Sequence, residues 1–328
     1  MTAVSGRLAG RHVLVTEAGT GIGRAIAPRL AEEGEQLSLF ARHASRLGQT
    51  AADCPGGAYF ASCDVRDRAA VDTAVAKAAG EHGALYAVVV NAGIGGVNEP
   101  RPEDRFDGLV LTNLTGTYNT FRAGERHLVE GPGARHLVSI ASILARIGVP
   151  GYSGYCASKA GLGGLVRSLA AEHGAANIQV NALCPGWVDT AMAREGIAGM
   201  AAGMGVSPDE AHRIAMEPVP LGRMRQPEGV AGMVAWLVSD DARGVTGQCL
   251  DVNGGAFMLK ERTLWSQWFV GIGLGLRDWG SQRDFPRRRF SQSQSWRLRQ
   301  ASHCLKAQGY SIQLGKNSPK ALSMGCFV

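Results

Sequence analysis

The sequence has no C-x-x-C pair, and no histidines stand at metal-ligand spacing from its seven cysteines, Cys54, Cys63, Cys156, Cys184, Cys249, Cys304 and Cys326. An odd number of thiols so placed argues against a disulfide framework and against a zinc site, and for reduced cysteines in a cytoplasmic protein. No metal is expected. There is no basic n-region followed by an apolar h-region near the start, where the chain runs almost at once into a strand-like HVLVT at His12 to Thr16, so no targeting segment is expected. The apolar run Leu264 to Leu276 is broken by Ser266 and Gln267 and falls short of the roughly 20 residues that span a bilayer, so no membrane span is expected. No internal repeat is present. Acidic residues are scarce in one part of the chain only: residues 1–256 carry 22 Lys+Arg and 25 Asp+Glu, residues 257–328 carry 12 and 3. The basic balance therefore belongs to the C-terminal stretch, and the main domain is not expected to bind nucleic acid.

What is abundant is glycine and apolar content. With 328 residues and 45% hydrophobic composition, the chain can bury one large core or two modest ones. The 45 glycines are about twice the usual share of roughly 7%, and they gather at strand-to-helix junctions. The first unit reads as strand His12 to Thr16, Gly-rich turn Glu17 to Gly23, then helix. Such a turn lets the backbone approach a pyrophosphate, with the free N–H groups of the helix start pointing at it. The next strand-like run, Gln36 to Phe40, ends in Ala41-Arg42-His43. An acid there would take the adenosine ribose hydroxyls, whereas an arginine suits a 2′-phosphate. NADP(H) is favoured over NAD(H), the alternative being that Arg42 is an arginine of an exposed loop.

The stretch from Ser142 to Lys159 carries the clearest chemistry. Tyr155 and Lys159 stand four residues apart in a helical pattern, and Ser142 closes the strand-like run His136 to Ala141. Positions i and i+4 share a helix face, so the ammonium is expected to lower the phenol pKa toward neutrality and make Tyr155 a general acid/base. Tyr-x-x-x-Lys also occurs on helices as a solvated pair. Tyr152 is a control, since its i+4 partner is Cys156.

Continuous apolar strands between helices, such as Leu85 to Val90, read as a buried parallel sheet whose ligands gather at the strands' carboxyl ends. Asp64, Asn91 and Gly93 lie at such ends. Within the helical stretch Pro102 to Leu128, Asn113 and Gly116 cost helix propensity; this is either tolerated or the mark of a local distortion that turns Asn113 inward. Ala191 to Pro220, rich in Met, Ala and Gly with little periodicity, reads as a long loop acting as a lid. Met192 with Ile143, Leu144, Tyr152 and Trp187 would line an adaptable apolar pocket, or else belong to the core.

Taken together these residues resemble the compact, single-domain branch of the short-chain dehydrogenase/reductase family over about residues 8–258. That resemblance implies an α/β fold of Rossmann type: a doubly wound, seven-stranded parallel sheet in order 3-2-1-4-5-6-7 within three αβα layers. It implies a domain over 1–258; the stretch that runs on over 259–328, basic and low in acid, is expected to be a poorly structured extension. Asn113, Ser142, Tyr155 and Lys159 match the family's catalytic tetrad, with Lys159 also holding the nicotinamide ribose and Asn113 positioning a water that relays protons to Lys159. Gly19, Gly21, Ile22 and Gly23 match the fingerprint turn, and Asp64 with Val65 the adenine contact. Asn91-Ala92-Gly93 corresponds to the turn beneath the cofactor, and Pro185, Gly186, Val188 and Thr190 to the nicotinamide-side loop. The implied activity is reduction of a ketone, 3-oxoacyl-like or other, to a secondary alcohol, with pairing into dimers or tetramers through the helices of Asn113 and Tyr155.

Two departures stand out. Glu17 occupies the place of the first fingerprint glycine, and the chain runs past Gly254-Gly255 into the basic extension. Glu17 favours an alternative function, a non-catalytic dinucleotide sensor; the extension favours another, an enzyme tethered to RNA or an anionic surface.

Overall fold

The computed structural model describes residues 10–98 and 104–258; the basic extension at 259–328 lies outside the described residues. Strand β1 (His12–Thr16) leads to helix α1 (Gly21–Glu32), and β2 (Gln36–Ala41) to α2 (Ala44–Asp53). Next come β3 (Tyr59–Ser62), α3 (Arg68–His82) and β4 (Leu85–Val90). Helix α4 (Phe106–Val110) continues through a π-helical turn at Leu111–Thr115 into α5 (Gly116–Glu125). Strand β5 (Arg135–Ile140), helix α6 (Ser153–His173) and strand β6 (Ile178–Pro185) follow. Helices α7 (Ala191–Met204), α8 (Pro208–Met216) and α9 (Pro227–Leu237) precede the final strand β7 (Cys249–Val252).

All seven strands join one parallel sheet in the order β3-β2-β1-β4-β5-β6-β7, as the resemblance implied. The sequence explains why the sheet is covered on both faces. Side chains alternate along a strand, and here both alternating sets are apolar. Val13, Val15, Leu37, Leu39, Ala87 and Val89 pack on one side with residues of α1 and α9. Leu14, Phe40, Val88, Val90 and Leu137 pack on the other with residues of α3, α5 and α6. Each Val or Leu so buried contributes roughly 1.5–3 kcal/mol, and a strand with two apolar faces is stable only between two helical layers.

Strand order reverses between β1 and β4, which opens a crevice at the carboxyl ends of the strands. Thr16, the last residue of β1, pins the crevice floor: its Oγ1 accepts the N–H of Asn91 and that of Ala92, both at 3.1 Å.

The stretch expected as a long loop is helical. Helices α7 and α8 pack on each other through Ile197, Ala201, Ala211 and Ala215 as a small core of their own. Alanine and methionine form helices well while giving little contrast between buried and exposed faces, so the periodicity that would have shown these helices is weak. Caps are in place, however: Thr190 accepts from the Ala193 N–H and Ser207 from the Glu210 N–H.

Candidate active site

Helix α6 places Tyr155 and Lys159 one turn apart on the face toward the crevice. Lys159 is 4% exposed and its Nζ, 5.8 Å from the centre of the Tyr155 ring, donates to Ile140 O at 2.8 Å. Ser142 follows β5, where its Oγ accepts the Leu144 N–H at 3.1 Å and its hydroxyl acts on the Tyr155 phenol to lower that group's pKa.

The ordering of effects differs from the sequence expectation. Burial raises the Tyr155 pKa above its ordinary value, and the Ser142 hydroxyl opposes that rise. Lys159 is itself pushed down to about 8 by burial. The resting phenol is therefore a protonated acid at neutral pH, with the Ser142 hydroxyl placed to favour the phenolate.

Asn113 is fully buried because the helix distorts, the second of the two alternatives its sequence position left open. A π turn holds one extra residue and redirects a side chain, and such turns recur at functional sites. Asn113 Oδ1 accepts the Ile94 N–H at 2.8 Å, while its Nδ2 donates to Ile94 O and to Ser158 Oγ, each at 3.0 Å. The side chain is thus committed to the protein. Its main-chain carbonyl accepts from Thr117 Oγ1 at 2.7 Å. Ser158, which sequence reasoning missed, ties the π turn to α6 and donates to Tyr155 O at 2.8 Å.

A nicotinamide dinucleotide fits these surroundings. A Cβ on Gly23 would lie 2.2 Å from Glu17 O, so backbone alone is tolerated there, and one on Gly93 would crowd Asn113 Oδ1 and Lys159 Nζ, each at 3.2 Å. Helix α1 starts at Gly21 with no side-chain cap from Thr20, leaving the N–H groups around Ile22 free for a phosphate. Gly21 faces Thr190, Gly19 faces Arg46, and Gly186 packs against Asn253; Val188 is buried. Pro185 ends β6, so the loop that follows closes over the Gly-rich turn.

On the adenosine side, Glu17, Arg42, Asp64, Val65, Arg66 and Ala92 line one cleft. Asp64 is paired with Arg66 at 2.6 Å, and that guanidinium holds its carboxyl below the usual range. Sequence reasoning missed Arg66, although its position two residues after Asp64 was a signal. Glu17 has φ of 49°, the left-handed region that costs a non-glycine residue roughly 1–2 kcal/mol. Among the described residues no group of His, Cys, Asp and Glu is placed to hold a metal ion, and no helix is long and apolar enough to cross a membrane.

Of the candidate pocket residues, Met192 is half-exposed and reaches over Gly95. Ile143 is buried, and Leu144 and Tyr152 are partly exposed. Trp187 packs instead with the core of α7 and α8, the alternative its sequence position left open.

This arrangement has close counterparts. A family model described as enoyl-(acyl carrier protein) reductase matches residues 18–256. The 3-oxoacyl-[acyl-carrier-protein] reductase MabA of Mycobacterium tuberculosis is 32% identical, over 76% of this chain and 93% of that protein. FabG, the corresponding reductase of Thermotoga maritima, is 30% identical, over 76% and 98%. A crystal structure of a variant actinorhodin polyketide ketoreductase with NADPH superposes with a TM-score of 0.71 at 35% identity, covering 77% of this chain and 99% of that one. The chain belongs to the short-chain dehydrogenase/reductase family. As a short-chain dehydrogenase/reductase it is an oxidoreductase that interconverts carbonyl and alcohol groups with a nicotinamide dinucleotide.

Proposed function

We propose that the chain reduces a 3-oxoacyl-type ketone to a secondary alcohol with NADPH, using Tyr155 as the proton donor. The observation that carries this reading is the gathering of Ser142, Tyr155, Lys159 and the π-turn Asn113 at the carboxyl ends of β4 and β5. The naming of relatives as 3-oxoacyl reductases supports the substrate class. When bound, the dinucleotide supplies the hydride. The protein's own residues do the rest: Ser142 and Tyr155 direct two hydroxyls at the carbonyl oxygen, Tyr155 gives it a proton, and Lys159 stabilises the phenolate left behind. The test is NADPH oxidation by the full chain with acetoacetyl-coenzyme A, simple ketones and quinones. Turnover of acetoacetyl-coenzyme A above the others is expected, and none with any ketone would sink the proposal.

Preference for NADP(H) rests on Arg42, exposed at the mouth of the adenosine cleft beside Arg66. Arg42→Asp removes a phosphate partner and adds a ribose acceptor, so the ratio of kcat/KM for NADPH over NADH should fall by at least about tenfold. An unchanged ratio would make Arg42 an ordinary loop residue.

Glu17 works against binding by two routes, a strained backbone and a carboxylate near the phosphates. Close charges near a protein surface interact by about 1–4 kcal/mol. Glu17→Gly relieves both and should tighten NADPH binding about tenfold, with a smaller effect on turnover at saturating cofactor. Glu17→Gln separates the causes: recovery with Gln, softened by salt in the wild type, identifies repulsion, and recovery with Gly alone identifies strain. Equal dissociation constants for wild type and Glu17→Gly would refute both.

A further inference from the structure

The helix that carries Tyr155 and Lys159 begins without a cap of its own. Tyr152, at the N-cap position of α6, makes no side-chain hydrogen bond to the first turn. The first N–H groups of a helix have no partner within it and usually find an Asn, Asp, Ser or Thr oxygen just before it in sequence. Here the oxygen comes from a different loop. Asn98 Oδ1 accepts the Gly154 N–H at 2.8 Å, its Nδ2 donates to Ser153 Oγ at 2.9 Å, and its own N–H donates to Gly151 O at 2.8 Å. Asn98 is 8% exposed, so these bonds form where water competes poorly.

The other end of the same loop is held by Asn113, whose amide bonds both the N–H and the O of Ile94. Residues 94–98 therefore run as a strap from the π turn to the first turn of α6. The strap ends on Gly154, directly before Tyr155. A misplacement of about 1 Å in a reacting group can cost 100-fold in rate, so whatever fixes the first turn of α6 fixes the proton donor.

We propose that Asn98 is a positioning residue for Tyr155, capping the catalytic helix from a separate loop and setting where the phenol meets Ser142. The inference rests on Tyr155 as the proton donor. It goes further by giving the reaction a residue that touches neither substrate nor cofactor.

The test uses the full chain with NADPH and acetoacetyl-coenzyme A. In Asn98→Ala, kcat should fall by about 10- to 100-fold while the NADPH dissociation constant changes by less than about twofold. The upper limb of its pH profile should move up, because a phenol displaced from Ser142 loses the hydrogen bond that favours the phenolate. Asn98→Asp keeps the acceptor and caps equally well, so it should restore the wild-type profile and bring kcat to within about threefold. Amide exchange in the wild type supplies a reading that needs no variant: the Gly154 N–H should be protected. An exposed-like Gly154 amide, an unimpaired Asn98→Ala, or an Asn98→Asp as poor as Asn98→Ala would each overturn the proposal. So would equal losses of turnover and cofactor affinity, which mark general loosening. If Asn98→Ala does not fold, Gly154 protection and the Asn98→Asp profile decide. Activity in Tyr155→Phe would instead overturn the proton-donor reading, and no Asn98 variant is needed to see it.

Discussion

Tyr155→Phe should lower kcat for ketone reduction by about 10²- to 10⁴-fold, the usual contribution of a positioned general acid, and leave the NADPH dissociation constant within about twofold. The change removes one oxygen from a ring whose packing is otherwise kept. The Ser142 hydroxyl, which opposes the rise in the phenol's pKa, can turn to bond elsewhere, so no buried charge is stranded and the fold should hold. The loss should be uniform from about pH 6 to pH 8. Burial raises the Tyr155 pKa, so the wild-type donor keeps its proton across this range and the variant lacks one throughout. Stopped-flow single turnovers with acetoacetyl-coenzyme A, alongside fluorescence titration of NADPH, separate chemistry from binding. Retained turnover would show that the proton comes from another group. A weakened cofactor site with unchanged chemistry would give Tyr155 a binding role instead.

The central strands were legible in the sequence because they carry apolar residues on both faces, and β1 and β4 fall where the pattern placed them. Spacing put Tyr155 and Lys159 on one helix face and Ser142 just before that helix, which the fold keeps, whereas Asn113 entered the proposed tetrad only through the family resemblance. Other features needed the third dimension. Asn98 and Gly154, the residue before Tyr155, are brought together by a hydrogen bond across 56 positions, which no local pattern encodes. Ser158 and Thr16 are small polar residues whose role lies in what they join. The direction expected for the Tyr155 pKa was wrong: burial, which spacing cannot show, raises it. Spacing put the Lys159 ammonium on the correct face; the structure turns it to Ile140 O. Helices α7 and α8 escaped for a compositional reason, although Ser207, Pro208 and Glu210 form a cap signature that could have revealed the second.

Lys159→Met should abolish most turnover while making the cofactor-free protein less sensitive to pH. In the proposed mechanism the Lys159 ammonium stabilises the phenolate and holds the nicotinamide ribose. Its loss should therefore lower kcat by about 100-fold or more and raise KM for NADPH. Its effect on stability runs the other way. The folded pKa of Lys159 is lowered from 10.5 to about 8 by burial, so between those values the unfolded chain holds a proton that the folded protein does not. Stability from this residue must then rise with pH, from a deficit fully present below about pH 8 to none above about pH 10.5. At 1.36 kcal/mol per unit the deficit is on the order of 3 kcal/mol. Removing the ammonium also strands Ile140 O, which accepts from Nζ at 2.8 Å, and an unpaired buried carbonyl costs about 1–3 kcal/mol. The two nearly cancel at neutral pH, so a single melting temperature is a poor readout and the slope is the decisive one. Urea unfolding from pH 7 to pH 10.5, with both chains in a Tyr155→Phe background so that the phenol does not titrate, should show the chain that keeps Lys159 gaining about 3 kcal/mol over the Lys159→Met variant. Parallel curves would mean that Lys159 keeps an ordinary pKa in the folded state and that burial does not tune it.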